Sequence, residues 1–191
     1  MNKTTLAIKN MVCNRCIRVV KEELQQLGHN IDQIKLGRVV LQGNIDRSQW
    51  SAIQAILQKN GFEILESQQA QLVESVKNII IEHIYHTKEK PSSVNFSNFL
   101  AQETGTNYFN LSKLFSSLEG ITIEKYIILQ KIERVKELLI YGEKNLGEIA
   151  FELEYSSTSH LSSQFKKATG LSPTAFLKLT GPPRKPLDEI Q

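Results

Sequence analysis

Two stretches of this chain repeat one another, and that repetition limits its folds more than any other feature. "NFLAQETGTNYFNLSKLFSSLEG" (98–120) and "EIAFELEYSSTSHLSSQFKKATG" (148–170) both read as a short helix, a tight turn and a second helix, with a Phe and a terminal Gly. Leu100-Ala101 matches Ile149-Ala150, Leu111 matches Leu161, Phe115 matches Phe165 and Gly120 matches Gly170, at offsets of 49 and 50. Two helix-turn-helix units account for such a pattern. The small Ala101 and Ala150 suit a close crossing of helices. Leu111 with Phe115, and Leu161 with Phe165, are i,i+4 pairs that anchor the second helix of each unit. Its opposite face then points outward. In the first unit that face offers Asn107, Tyr108, Ser112 and Lys113; in the second, Thr158, Ser159, His160, Ser162, Ser163 and Gln164. Short and amide side chains near a helix N-terminus suit base edges and phosphates, and Lys113, Lys166 and Lys167 suit phosphate charge. A single polar helix face is commonly just a solvated surface. Two matched ones favour nucleic acid.

The segments around the repeats are also helical in pattern, including "IEKYIILQKIERVKELL" (123–139) between them and "SPTAFLKL" (172–179) after them. The Pro-rich end, 181–191, reads as a flexible tail. Of the chain's 191 residues, 40% are hydrophobic and 23% charged, the balance of a folded globular protein. No apolar run is long enough to cross a bilayer, and the start lacks the pattern of a secretion signal, so a cytoplasmic location is expected. The net charge of +3 sits in residues 1–70, with nine Lys/Arg against six Asp/Glu; residues 71–191 hold fourteen of each. A strongly basic DNA-binding half is therefore absent, and local placement of charge has to serve instead. Neither half assembles a nucleophile, a base and an oxyanion donor, so an enzyme is not expected.

Residues 1–68 follow another period. "TTLAIKNM" alternates as a strand, and "CNRCIRVVKEELQQLG" places Ile17, Val20, Leu24 and Leu27 at helical spacing before Gly28. "NIDQIKLGRVVLQGNI" reads as two strands about Gly37-Arg38. Asp46 caps a helix carrying Trp50, Ile53, Ile56 and Leu57, and "FEILES" is a last strand. The order βαββαβ predicts a ferredoxin-like domain, and the whole chain falls in the α+β class. Residues 67–88 read as a linking helix with an apolar stripe of Leu72, Val73, Val76, Ile79, Ile80 and Ile84. "TKEKPSS" (87–93) is a polar break, which sets the expected division at 1–68, 69–93, 94–180 and 181–191.

Residues 94–180 resemble the DNA-binding domain of the AraC-type transcription regulators. The connecting helix, with Tyr126 and Leu138-Leu139, and the stretch holding Ile149-Ala150, Phe165-Lys166-Lys167, Gly170 and Ser172-Pro173 carry the resemblance. It implies that two recognition helices enter successive major grooves of double-stranded DNA, about one turn or ~34 Å apart. The best base contacts it implies are Phe109, Ser112 and Lys113, then Thr158, Ser159, His160 and Ser163, with Lys167 on phosphate. RNA polymerase and a second copy of the chain are candidate partners; no membrane is. Three positions depart from the family pattern. Glu154 replaces the usual glycine of the second turn and has to hold a positive φ there. Tyr155 replaces a phenylalanine, and Lys131 an arginine.

Both cysteines lie in "MVCNRC" (11–16), with Cys13 expected in the loop after the first strand and Cys16 in the first helical turn. Two thiols at that spacing converge on one ion, and a helix N-terminus favours thiolates. Two sulfurs suit a soft, low-coordinate ion such as Cu(I); Zn(II) asks for two more ligands. Residues 3–68 resemble the heavy-metal-associated domain of copper chaperones and metal-transport ATPases, through Met11-x-Cys13-x-x-Cys16 and "KNGF" (59–62). Asn10 stands where that family commonly has glycine, and Asn14 and Arg15 where it has small residues. The resemblance implies Cys13 and Cys16 as ligands and Met11 as inward support. A thioredoxin-like redox site fits poorly, since twelve residues before Cys13 are too few for the preceding βαβ. Thiol redox sensing, idle thiols and a dimerisation module remain as other readings. His83 and His86, at i,i+3 on the linking helix, are candidate extra ligands, although such residues more often simply flank a surface. Together these features lead to an expectation of a metal-responsive transcription regulator.

Overall fold

The computed structural model describes residues 2–86, 96–179, 181 and 183–190, so the polar break read at 87–93 lies outside the described residues. The chain forms two compact units, Met1–Ile80 with Pro91–Leu118 and Ile81–Lys90 with Glu119–Gln191.

The first unit opens with β1 (Lys3–Lys9), α1 (Asn14–Gln26), β2 (Ile31–Lys35), β3 (Arg38–Gln42), α2 (Arg47–Lys59) and β4 (Glu63–Ile64). The strands form one antiparallel sheet in the order β2-β3-β1-β4, with Leu6 opposite Val39 and Ile8 opposite Ile64. Each helix therefore connects two strands that flank a third. The alternation read in β1 buries Leu6 and Ile8 on the face that meets Val20 and Leu24 of α1 and Ile53 and Leu57 of α2. Full burial of such side chains is worth about 1.5–3 kcal/mol each. Asp46 caps α2 in a reciprocal capping box with Gln49. The last strand is shorter than "FEILES" suggests. Leu65 N–H still bonds Ala7 O, but Leu65 O accepts from the Gln71 side chain, which turns the chain into the next helix.

That helix, α3 (Gln68–Ile81), runs into a π-helical turn at Glu82–His86. Its apolar stripe is buried at Val73, Val76 and Ile80, yet Glu74, Lys77 and Asn78 are buried as well. Glu74 and Lys77 form an ion pair at 3.7 Å. Asn78 lies against the β2–β3 turn, where a Cβ added to Gly37 would come within 2.1 Å of Asn78 Nδ2. The unit also contains α4 (Phe96–Thr104) and α5 (Tyr108–Glu119), with Leu100, Leu111 and Phe115 fully buried.

The second unit is built on α6 (Ile123–Tyr141), with α7 (Leu146–Glu152), α8 (Thr158–Thr169) and α9 (Pro173–Leu177) packed against it. Thr122 caps α6, and Gly142, at φ 69°, ends it. Tyr126 and Gln130 are fully buried on α6, where Gln130 Nε2 donates to Tyr126 Oη (2.9 Å) and to Leu187 O (3.3 Å). Residues 183–190, expected to be loose, lie against this helix. Lys185 N–H donates to Glu133 Oε2, Arg184 pairs with Glu137 at 3.4 Å, and Ile190 is 3% exposed. The acidic turn of α6 and one apolar residue hold down a stretch whose prolines suggested freedom. Tyr85 of the π-helical turn also docks on α6, donating to Gln130 O at 3.1 Å beneath Arg134.

Candidate nucleic-acid interface and thiol site

The repeat seen in the sequence is a repeat of structure. In the first unit α4 ends at Gly105, φ 65°, and Asn107 Oδ1 accepts from Asn110 N–H at 2.9 Å to start α5. In the second, α7 ends at Glu154, φ 58°, and Ser157 Oγ accepts from His160 N–H at 3.0 Å to start α8. Satisfying a first-turn N–H in this way is what an N-cap does. The repeat extends further than the sequence indicated. Thr122 and Ser172 are both caps, and Tyr126 and Phe176 are both fully buried one turn later.

Leu111 with Phe115, and Leu161 with Phe165, are fully buried, so each second helix is fastened along one side. Phe165 meets Phe176 edge-on at 5.4 Å. The outward side of α5 presents Phe109, at 76% exposure, with Asn107 and Lys113; Tyr108 and Ser112 are half-buried. On α8, Thr158, Ser159, His160, Ser163 and Lys167 are exposed, and Ser162 and Gln164 half-buried. Asn110, also exposed, was missed. It stands fifty residues before His160, so the repeat itself could have pointed to it.

The turn before α8 is a Schellman motif: Tyr155 N–H bonds Ala150 O at 2.8 Å and Glu154 N–H bonds Phe151 O at 3.1 Å. Glu154 occupies the left-handed position that glycine favours. Its carboxylate lies 3.5 Å from His83 and 3.9 Å from Lys131, and Lys131 Nζ donates to Leu153 O at 2.7 Å. Glu154 and Lys131 thus fall into one contact. Tyr155 Oη donates to Gln164 Oε1 at 2.8 Å, and burial pushes the phenol up to about 12, which keeps it a donor. The Tyr155 ring meets the His160 ring edge-on at 5.4 Å, and Ser156 Oγ lies 3.0 Å from His160 Nδ1.

Cys13 is the N-cap residue of α1 but makes no side-chain cap bond, and Cys16 lies in the first turn. Their Sγ atoms are 3.4 Å apart, both side chains are half-buried, and both thiols are free. Cys16 is pushed up mainly by burial, against the effect expected of a helix N-terminus, although Val12 and Cys13 backbone groups oppose it. Met11 is fully buried in the core cluster against which Cys16 packs. Asn10 holds φ 71°, with its N–H on Glu74 Oε1 (3.1 Å) and its Nδ2 on Gly61 O (3.0 Å). Two sulfurs converging on one point fit a soft ion of low coordination number. Among the described residues, no group of three or more His, Cys, Asp or Glu is placed to hold a metal. His83 faces Glu154, and the His86 ring lies beside Tyr85. No helix among the described residues is long and apolar enough to cross a membrane.

Residues 100–179 match a family model described as a helix-turn-helix domain. The probable transcriptional regulator LumQ of Photobacterium leiognathi is 30% identical over 108 residues, covering 54% of this chain and 41% of that protein. The bifunctional transcriptional activator/DNA repair enzyme AdaA of Bacillus subtilis is 28% identical over 72 residues, covering 38% of this chain and 34% of that protein. The match thus takes in less than half the length of either relative. No solved structure matches significantly.

Proposed function

We propose that this chain, whose residues 100–179 carry a helix-turn-helix domain, is a DNA-binding transcription regulator of the AraC type that responds to a soft metal ion. The observation that carries the DNA reading is the pair of matched, capped helices, each fastened by a buried Leu-Phe pair and each presenting an uncovered polar side. Two relatives named as transcriptional regulators support it. In this reading α5 and α8 enter the major groove of double-stranded DNA. Phe109, Ser112, Lys113, Thr158, Ser159, His160 and Ser163 face base edges, while Lys167 and the exposed caps meet phosphate.

Residues 1–68 act as the sensor, a ferredoxin-like, heavy-metal-associated domain; the sheet order and the burial of Met11 in the core against which Cys16 packs support this. Cys13 and Cys16 hold the ion, Cu(I) by preference, which when bound joins the two sulfurs through one centre. The chain itself provides the route outward. The loop before Met11 hangs on Glu74 of α3 through Asn10 N–H, so a shift of the thiol loop is felt at α3. Such coupling requires the ion to bind two arrangements with different affinity.

Fluorescence titration of the full chain on genomic DNA fragments, with and without Cu(I), tests both parts. Native protein is expected to change its affinity at least about fivefold with Cu(I), the lower end of ordinary coupling energies. The variant carrying Cys13→Ser and Cys16→Ser should bind DNA without responding, and Glu74→Gln should keep the ion but lose most of the response. Four identical curves for native and double-serine protein leave a constitutive regulator whose first domain dimerises. A response to oxidant but not to Cu(I) makes the cysteines a redox sensor.

A further inference from the structure

The offset between the two repeats changes from 49 to 50 inside the turn. Between the left-handed residue and the N-cap, the first unit has Thr106 alone, whereas the second has Tyr155 and Ser156. Those two residues hold side chains of the outward helix. Ser156 Oγ takes His160 Nδ1 at 3.0 Å, and the Tyr155 ring edge closes on the same imidazole at 5.4 Å. Tyr155 Oη holds Gln164 by its carbonyl, one helical turn further on. His160 is solvent-exposed, so an exposed ring is braced from two directions. A surface histidine with no task would gain nothing from such a brace, because ordering a side chain costs entropy.

We propose that Ser156 and Tyr155 are positioning residues that fix His160 as a single-atom base reader, with Nε2 directed at one base edge in the major groove. This rests on α8 being the recognition helix. One imidazole nitrogen is occupied by Ser156, and the other is left as the only hydrogen-bonding atom of the ring. A ring held in one orientation places Nε2 at one point of the groove, where base pairs differ in the atom they present. The first unit, lacking the extra residue, offers Asn110 at the matching position, with no such brace among the described contacts.

The test is selection of binding sites from a randomised DNA duplex pool by the full chain, followed by sequencing. Native protein should enrich one motif. His160→Ala should lose preference at one base pair of it, by about tenfold, within the range of a single mismatch. Ser156→Ala should relax that same base pair and leave the others intact, while Ser156→Thr, which keeps the hydroxyl, should restore it. Ser157 remains the cap of α8 in all of these variants, so thermal melting should be unchanged. Ser156→Ala selecting the native motif in full, or weakening every position alike, overturns the brace while leaving the DNA reading in place. Failure of native protein to enrich any motif removes both.

Discussion

The two helix-turn-helix units make the same turn by different means. The first reaches its left-handed residue with Gly105, which needs no support. The second uses Glu154, at φ 58°, in a position that costs a residue with a Cβ about 1–2 kcal/mol. Around it are placed a cation on a carbonyl, Lys131 on Leu153 O, and a carboxylate facing His83 and Lys131. The first turn is therefore stable by its backbone, the second by its surroundings. The second also carries one more residue and, with it, contacts to the exposed helix that the first lacks. Matched scaffolds thus carry one plain turn and one specialised turn.

The largest effects test how alike the scaffolds are. Phe115→Ala and Phe165→Ala each remove a fully buried ring and should cost about 3–5 kcal/mol in urea unfolding. If the units are equivalent, the two costs agree within about 2 kcal/mol, the usual spread for one chemistry. A wider gap breaks the equivalence. On DNA, Lys113→Ala and Lys167→Ala should each lower the slope of log affinity against log salt by about one, the signature of one lost phosphate contact. A slope that changes for one lysine only would make one unit the sole binder.

The turns themselves should respond with opposite signs. Gly105→Ala meets no atom within 4 Å, so its cost is the backbone alone, about 1 kcal/mol of destabilisation in thermal melts. Glu154→Gly should stabilise by up to about 1 kcal/mol as the strain is relieved. The smallest effect is the coupling between Glu154→Gly and Lys131→Met. The pair is partly exposed, and a double-mutant cycle should give a few tenths of a kcal/mol. Zero coupling would mean that the lysine serves the Leu153 carbonyl and the Tyr155 ring rather than the carboxylate.

Much of this was legible because it was written twice. Spacing alone placed both helix pairs and their Leu-Phe anchors; Glu154 stood out only through the family resemblance. The polar residues of α3 were not legible. Glu74, Lys77 and Asn78 look like a solvated face until Asn10 and the Gly37 turn close over them, and those residues are distant in sequence. The tail misled for a similar reason. Its prolines suggest freedom, whereas Lys185 finds a partner on a helix some fifty residues away and Ile190 is buried. The brace on His160 was hidden in a difference of one between two offsets. The thiol pair was legible in position, but the burial that pushes Cys16 up comes from packing against the core.

The contact between Gly37 and Asn78 has an evolutionary corollary. A hairpin tip that admits no side chain, facing an amide that fills the vacated space, ties two positions forty-one residues apart. The constraint falls mainly on the glycine: any replacement meets a positive φ, and the Asn78 amide has to swing aside or be trimmed to admit its Cβ. In an alignment of descendants the glycine column should therefore change less than the asparagine column.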